Sequence, residues 1–407
     1  MPLTILNGES IDKLLHSLTR DDILSLQSTL AEALHTYSTT PQSPTCSIHQ
    51  PQRTSIARRD GGSTLFMPAS NGDMVGIKIV SLKESEEAIG GSENGGKDKG
   101  NDDGEDGGEQ TALQTPLSTS PQGFLTLLSP HGLPSALICA SHLTSFRTAL
   151  LSTILLKKRQ TTSHIAVFGA GAQAYWHIRL SLLLRGSDIK HVYIINRTFA
   201  RARPLLERFY AKESAEWRGG AKFSVLSREY GEYARVLKEE VRRADVIFCC
   251  TPSVEPLFPA EHLTSSEGKR KGRLVVAIGS YKRHMCELHP EILRQAVAPM
   301  HSGGHYHKHA ERGGVVVVDS LTACLEEAGE VWQARLGGEQ MVELGELVML
   351  KKQAELGEGS EEGLREWLAR GNVVFKAVGM GLMDVVIGKE IARIAEERGM
   401  GIQIGGL

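Results

Sequence analysis

A glycine-rich turn between a strand-like segment and a helix-like segment holds the first residues whose types and spacing suggest chemistry. Gly169, Gly171 and Ala174 follow an apolar run at residues 165–168 and precede apolar positions at helical spacing. Gly169 permits a tight turn, Gly171 lets a pyrophosphate approach the backbone, and Ala174 lets the helix pack closely on a sheet. The amide groups and the positive dipole end of that helix would face the phosphates. This pattern predicts a dinucleotide site with the following cofactor-binding residues: Gly169, Ala170, Gly171, Ala172 and Gln173.

The end of the second predicted strand indicates which dinucleotide binds. A strand at residues 191–195 completes a βαβ unit around the turn, which disfavours the alternative of an ordinary turn with no ligand. In NAD-binding units, an acidic side chain at the end of that strand accepts the ribose hydroxyls. Here the strand leads into Asn196, which can bond the ribose, and into Arg197 and Thr198, which can hold a 2′-phosphate through charge-assisted hydrogen bonds. We therefore predict NADPH as the cofactor, with NADH as the alternative.

The end of the fourth predicted strand adds two candidate cofactor residues. Cys250 closes the apolar segment at residues 245–250, and Thr251 follows it. Since the carboxyl ends of parallel strands line the cofactor crevice, we predict that both residues contact the dinucleotide. The alternative for Cys250 is core packing, because a free thiol behaves as a small apolar group.

Three cationic side chains outside the nucleotide-binding segment are candidates for substrate recognition. Lys78 lies within an alternating strand-like run, Arg147 lies on an apolar helical segment, and Arg53 begins a short strand-like run. A buried cation without an anionic partner is costly, so each of these side chains needs one. A substrate carboxylate would suit the planar guanidinium fork. The alternatives are internal salt bridges and side chains that extend to solvent.

Two polar tracts are predicted to carry no chemistry. Residues 84–110 are acidic and glycine-rich, so we expect a disordered insert there. The histidines at positions 301, 305, 307 and 309 are of a type that binds zinc, but they lie among glycines, and no Cys, Asp or Glu joins them before Glu311. We therefore predict no metal site.

The composition limits the classes of partner. The 407-residue chain has a formal net charge of −2 and 41% hydrophobic residues. This balance gives no electrostatic attraction for nucleic acid or an anionic membrane, and no apolar run reaches the length of a membrane span. The N-terminus lacks a basic segment followed by an apolar core, so we expect no signal peptide. Six scattered cysteines without a Cys-x-x-Cys pair indicate reduced thiols and a cytoplasmic location.

The elements that would position these residues follow an α/β pattern. Strand-like and helical segments alternate from residue 163 to about 322, which predicts a doubly wound parallel sheet. Before this region, helices and short strands joined by turns indicate an α+β domain. We predict a nucleotide-binding domain at residues 151–324, inserted between the two parts of a split α+β domain at residues 1–150 and 325–407.

Short segments spread over most of the chain match one known protein family. These are Gln52-Arg53, Met67-Pro68-Ala69, Gly76-Ile77-Lys78, Leu143-Thr144 with Arg147, residues 168–174, 195–198, 324–330 and 375–381. Together they resemble the ornithine cyclodeaminase/mu-crystallin family. The resemblance implies a Rossmann-type doubly wound parallel sheet inserted into a split α+β substrate-binding and dimerisation domain, and hence a homodimer. It also implies that Arg53, Lys78 and Arg147 are the catalytic residues that hold the carboxylate of the substrate.

Two departures from the family pattern bear on the reaction. Cyclodeaminases of this family carry a catalytic Asp two residues after a glycine, whereas here Gly279 is followed by Ser280 and Tyr281. The missing carboxylate, together with Arg197, favours the ketimine reductase branch that is similar to mu-crystallin. The second departure is the acidic insert, which replaces a polar turn of the family after the strand of Lys78.

The resemblance therefore implies an NADPH-dependent reductase of cyclic ketimine carboxylates, of the pyrroline- or piperideine-carboxylate type, that gives proline- or pipecolate-like amino acids. Arg53 and Arg147 would pair with the carboxylate, and Lys78 would orient the imine or protonate near its nitrogen. Gly379 would border the nicotinamide, and Asp384 would border it too or cap the last helix. The alternatives are an NAD-dependent ornithine cyclodeaminase, an amino-acid dehydrogenase that forms an open-chain keto acid, and a non-catalytic protein that binds NADPH and a small molecule.

Overall fold

Two sheets of eight strands organise the described part of the chain. The computed structural model describes residues 2–40, 48–59, 62–83, 122–298, 314–348 and 361–405. The predictions for the acidic insert at 84–110 and for the histidines at 301–309 lie outside these residues. Within them, no helix combines the length and the apolar character that crossing a membrane requires.

The strands divide between the two sheets as follows. The first sheet contains β1 (Leu3–Leu6), β2 (Ile48–His49), β3 (Thr54–Ala57), β4 (Gly62–Asn71), β5 (Val75–Lys83), β6 (Gln122–Leu128), β7 (Pro134–Cys139) and β16 (Ile402–Ile404). The second contains β8 (His164–Phe168), β9 (His191–Asn196), β10 (Lys222–Ser227), β11 (Val246–Cys249), β12 (Leu274–Ala277), β13 (Val316–Val318), β14 (Met341–Glu343) and β15 (Val373–Lys376).

The helices of the described residues are numbered in chain order. They are α1 (Gly8–Ser17), α2 (Arg20–Thr39), α3 (Ala140–Leu156), α4 (Ala172–Arg185), α5 (Phe199–Tyr210), α6 (Ala215–Arg218), α7 (Tyr233–Arg243), α8 (Glu261–Thr264), α9 (Ser266–Lys269), α10 (Pro290–Ala296), α11 (Leu321–Glu327), α12 (Gly329–Ala334), α13 (Leu344–Val348), α14 (Glu361–Arg370) and α15 (Gly381–Glu397).

The second sheet is parallel throughout, in the order β10-β9-β8-β11-β12-β15-β13-β14. Its central strands are uninterrupted apolar runs, and both faces of such runs are buried; β11 and β12 are buried at every position. Helices α4 and α5 are the crossover connections between the parallel strands β8, β9 and β10. The α/β fold predicted from the sequence is therefore confirmed.

The first sheet is mixed, in the order β16-β1-β7-β6-β5-β4-β2, with β3 paired to β4. Helices α1, α2, α3 and α15 contact one another or its strands and form one core with them. The first two helices begin at side chains that accept backbone amides. Asn7 accepts from the amide of Ser10, while Thr19 and Asp22 form a reciprocal capping box.

Two glycines allow α15 to lie directly on the first sheet. A Cβ atom at Gly76 would stand 2.8 Å from Val385 Cγ2, and one at Gly388 would stand 2.4 Å from Leu125 Cδ2. Because interiors are close-packed, a larger residue at either position would push the helix away from the strands. The close approach brings the first turn of α15, which contains Asp384, against β5.

Residues 325–407 contribute to both sheets. Strand β16 and helix α15 belong to the first sheet, but β15 pairs with β12 and β13, and β14 pairs with β13. The placement of β14 and β15 differs from the sequence prediction, which assigned the whole segment to the split α+β domain. Strand β15 consists of three apolar residues and Lys376, all buried, and shows no alternation that would reveal which sheet receives it, although such runs suit a doubly buried parallel strand.

Candidate functional site

The glycine-rich turn leaves open space at the start of α4. Gly169 has a φ of 109°, which favours glycine, and a Cβ atom there would lie 2.9 Å from the Cys250 carbonyl oxygen. Gly171 is the N-cap of α4, and no atom of the described chain lies within 4 Å of where its Cβ would stand. An anionic group can therefore approach the free amides of the first turn.

Polar groups around this turn fit a dinucleotide. The Gln173 Oε1 atom is buried, yet no hydrogen-bond partner for it lies among the described residues. At the end of β9, the Asn196 amide donates to the Thr198 carbonyl over 2.9 Å, and Arg197 is exposed. The Thr198 hydroxyl does not cap α5, the helix that begins after it. Gly171 and Gln173 would thus lie at the phosphates, and the end of β9 would lie at the ribose.

A buried glutamate links the chain segments that follow two neighbouring strands beside this crevice. Glu287 accepts from the Thr251 amide at 2.7 Å and from the Gly279 amide at 2.6 Å, through different carboxylate oxygens. It therefore joins the chain that follows β11 to the chain that follows β12. Burial raises the pKa of Glu287 to about 7, against the opposing effect of Lys376. Cys250 and Thr251 are both half-buried: Cys250 packs against the hydrophobic core, in line with the alternative of core packing, and Thr251 lies beside Gly169 of the glycine-rich turn.

Glu287 also contacts a second cluster of buried charged side chains, which consists of Lys376 and Glu330. The Lys376 ammonium donates over 2.6 Å to the carbonyl and to the hydroxyl of Ser280, and lies 3.4 Å from Glu330 Oε2. Glu330 in turn accepts from the Glu287 amide at 2.7 Å. Each of the three charged side chains, Glu287, Glu330 and Lys376, has a hydrogen-bond or ion-pair partner. This network fixes the segments that follow β11 and β12.

Lys78 and Arg147 meet on one carboxylate. The Lys78 ammonium lies 3.0 Å from Asp384 Oδ2, and Arg147 Nε lies 3.2 Å from Asp384 Oδ1. The three side chains are 4%, 3% and 0% exposed, respectively. Burial lowers the pKa of Lys78 to about 8, although Asp384 opposes the shift. The sequence left open whether a substrate or an internal salt bridge pairs these cations; the structure gives both of them an internal partner.

Arg53 forms an ion pair with a different carboxylate, that of Glu327. Its Nε donates to Glu327 Oε1 over 2.7 Å, and its Nη2 donates to Glu327 Oε2 and to the carbonyl of Tyr281. Glu327 lies at the end of α11, so the pair links the segment before β3 to the carboxyl end of the second sheet. Burial raises the pKa of Glu327, and Arg53 opposes this rise.

Gly379 joins these groups to the end of β15. Its φ is 95°, and its amide donates to Asp319 Oδ2 over 2.8 Å. A Cβ atom at Gly379 would stand 3.3 Å from Arg147 Nη2, so the backbone passes directly over that guanidinium. Gly379, Arg53 and Glu327 line one surface cavity. The structure thus brings the three predicted substrate cations to the carboxyl edge of the parallel sheet.

The sequence identified the cations but not all of their partners. Asp384 was expected to border the nicotinamide or to cap α15; it does not cap the helix, whose N-cap is Met380, and it accepts from the two cations within the first turn. Glu327 and Glu287 were given no role. Glu327 lies within a matching family segment and Glu287 lies between Tyr281 and Leu288, but nothing in one sequence reveals a partner that lies far along the chain. Among the described residues, no cluster of three potential metal ligands occurs.

Comparison with known proteins places this arrangement in a family. A model of the ornithine cyclodeaminase/mu-crystallin family matches residues 109–398. A Delta(1)-pyrroline-2-carboxylate reductase of Bacillus cereus is 29% identical over 280 residues, which cover 67% of this chain and 70% of the relative.

Solved structures share the fold over almost the full chain. An archaeal alanine dehydrogenase dimer with bound NAD is 22% identical, with a TM-score of 0.67 and complete coverage of both chains. A Delta(1)-pyrroline-2-carboxylate reductase of Thermococcus litoralis, in complex with NADH and L-proline, is 21% identical with a TM-score of 0.67, covering 98% of this chain and 99% of the other. Since the family model covers more than half of the residues, the chain belongs to the ornithine cyclodeaminase/mu-crystallin family.

Proposed function

We propose that this protein is an NADPH-dependent reductase of cyclic ketimine carboxylates, of the pyrroline- or piperideine-carboxylate type. The products would be proline- or pipecolate-like amino acids. Relatives named Delta(1)-pyrroline-2-carboxylate reductase support the reaction type.

The charge balance of the buried site carries the proposal. Lys78 and Arg147 share the single carboxylate of Asp384, so this nearly inaccessible group has an excess of one positive charge when Lys78 is protonated. An excess buried charge is costly, and a substrate carboxylate would neutralise it. The site lies beside Gly379, at the carboxyl edge where parallel sheets of this kind bind dinucleotides.

Each cation has a distinct task in the proposed reaction. Arg147 would offer Nη2 to the substrate carboxylate, because its Nε already donates to Asp384 and its Nη1 donates to Met383 Sδ. Lys78, with a pKa near 8, can both carry charge and release a proton near neutral pH. When bound, NADPH supplies the hydride for the imine carbon. Orientation of the imine against the nicotinamide by these fixed side chains would supply much of the rate.

Three observations support the finer parts of the proposal. Arg197 and Thr198 at the end of β9 favour NADPH over NADH, because that strand end supplies no acidic side chain for the ribose and the nearby Glu229 already accepts from the Phe199 amide and the Ser227 hydroxyl. The face of the first sheet turned away from α15 exposes Val75, Phe124 and Ile402, at 51%, 41% and 55%, which suits burial in a homodimer. The five described cysteines are all unpaired, in keeping with a cytoplasmic location.

A substrate panel tests the proposal. Pyrroline-2-carboxylate, piperideine-2-carboxylate, pyruvate with ammonia, and ornithine are each supplied with NADPH and with NADH, and nicotinamide absorbance is followed. We expect NADPH oxidation with at least one cyclic ketimine. Release of ammonia from ornithine without net consumption of reduced cofactor would establish a cyclodeaminase instead. Tight NADPH binding without turnover of any substrate would indicate a non-catalytic binding protein.

A further inference from the structure

We propose that Glu327 recognises the imine nitrogen of the substrate after the substrate carboxylate has displaced it from Arg53. The inference rests on the proposed function, since it names a further residue of the same site. It assigns to Glu327 two states: paired with Arg53 in the free protein, and paired with the protonated imine in the complex.

The free state is visible in the contacts of Arg53. Two donors on one edge of its guanidinium, Nε and Nη2, each meet a different oxygen of Glu327. This two-point geometry is the one that a substrate carboxylate would need on the same edge. Arg53 therefore cannot present this edge to a ligand unless Glu327 moves. Both side chains line the cavity beside Gly379, so a ligand that enters it meets them together.

The exchange keeps every charge paired. In the free protein, Arg53 and Glu327 form one ion pair, with side chains 18% and 25% exposed. A carboxylate ligand with a cationic nitrogen can take both places: its carboxylate replaces Glu327 on Arg53, and its nitrogen replaces Arg53 on Glu327. The single ion pair between Arg53 and Glu327 is thereby replaced by two ion pairs with the ligand. A carboxylate ligand without a cationic nitrogen would leave Glu327 unpaired in a half-buried position, which is unfavourable.

This exchange serves the chemistry of imine reduction. Hydride from the reduced nicotinamide forms the new C–H bond, the π electrons of the C=N bond become the nitrogen lone pair, and the N–H of the iminium stays on nitrogen. Only the protonated imine accepts hydride readily, and a carboxylate beside it favours that form. Asp384 is less suited to this task because Lys78 and Arg147 already occupy it.

Two ligands of the same ring size separate the two halves of the exchange. Proline carries a carboxylate and an ammonium group, whereas cyclopentanecarboxylate carries the carboxylate alone. Their dissociation constants are measured by calorimetry on the full chain with oxidised cofactor, for the wild type, Glu327→Gln and Glu327→Asp. The matched control is Glu326→Gln, which removes the adjacent exposed carboxylate that accepts from the Gln52 amide.

We expect Glu327→Gln to shift the preference between the two ligands by about tenfold or more toward cyclopentanecarboxylate, since a charged hydrogen bond to the ammonium is lost. Glu327→Asp, which keeps the charge, should restore part of the preference for proline, and Glu326→Gln should shift it less than about twofold. An equal change of both affinities in Glu327→Gln would overturn the inference and leave Glu327 as a brace for Arg53. Wild-type turnover of the ketimine panel is measured in parallel. Turnover without a change of ligand preference in Glu327→Gln refutes only the role of Glu327. The change of preference without turnover of any ketimine refutes only the proposed reductase activity.

Discussion

Replacement of Asp384 by Asn should destabilise the protein and expose the charge excess of the site. The isosteric amide can accept from one cation but turns its NH2 group toward the other. Lys78 and Arg147, at 4% and 3% exposed, would then share the site without a counter-charge. Removal of one partner from a buried ion pair costs about 3–5 kcal/mol. At about 2 °C per kcal/mol for a chain of this size, the melting temperature should fall by roughly 6–10 °C.

The pH dependence of this loss identifies its electrostatic origin. The pKa of Lys78 is already lowered, from 10.5 to about 8, mainly by burial, so the native protein binds this proton less tightly than the unfolded chain. The contribution of Lys78 to stability therefore improves as the pH rises from about 8 toward 10.5. Without Asp384, which opposes the shift, the pKa falls further and neutral Lys78 becomes the native form at lower pH. The destabilisation in Asp384→Asn should hence be smaller at pH 9 than at pH 7.

The loss of melting temperature is measured from thermal unfolding curves of the wild type and Asp384→Asn at several pH values. Arg203→Gln is the control, because it breaks an exposed ion pair with Glu207 within α5 and should change the melting temperature little at any pH. A loss below about 1 kcal/mol in Asp384→Asn, or a loss that does not diminish with rising pH, would contradict the charge balance derived from the contacts.

Two substitutions test the cofactor site. Arg197→Asp should change the ratio of the NADPH and NADH dissociation constants by about tenfold or more in favour of NADH, since a carboxylate repels the 2′-phosphate and accepts from the ribose hydroxyls; an unchanged ratio in fluorescence titrations would place the 2′-phosphate elsewhere. Gly171→Val should weaken both dinucleotides by at least about tenfold but leave the melting temperature of the free protein nearly unchanged, because the added side chain begins in open space. A large stability loss in Gly171→Val would show that the space beside the turn is not open to a ligand.

Local sequence patterns predicted the parallel sheet well. The apolar run that becomes β8, the glycines after it and the largely buried helix α4 all lie within a short stretch of chain, and each constrains the next. Strand β15 escaped assignment to that sheet because its four buried residues carry no signal for a neighbour. The position of β15 depends on its pairing with both β12 and β13. This pairing exists only once the other strands of the sheet have assembled, so the local sequence does not reveal it.

The candidate site could be predicted only in part, for a related reason. Burial of Lys78 and Arg147 followed from their apolar neighbours in sequence, but Asp384 lies 306 residues from Lys78. Likewise, Glu327 lies 274 residues from Arg53. The sequence shows that a cation needs a partner, while only the docking of α15 on β5 shows which carboxylate is near enough to serve.

The buried salt bridge and the proposed substrate site are therefore one arrangement rather than competing explanations. Asp384 makes burial of Lys78 and Arg147 tolerable, but a single carboxylate cannot balance two cations. The glycines that seat α15 fix Asp384 against β5, so the imbalance cannot relax by a large movement of the helix. A ligand that binds only the native state stabilises it, and here a carboxylate ligand would also remove an electrostatic cost that the fold carries without it. The incomplete pairing of the salt bridge would thus give the folded protein an affinity for an anion.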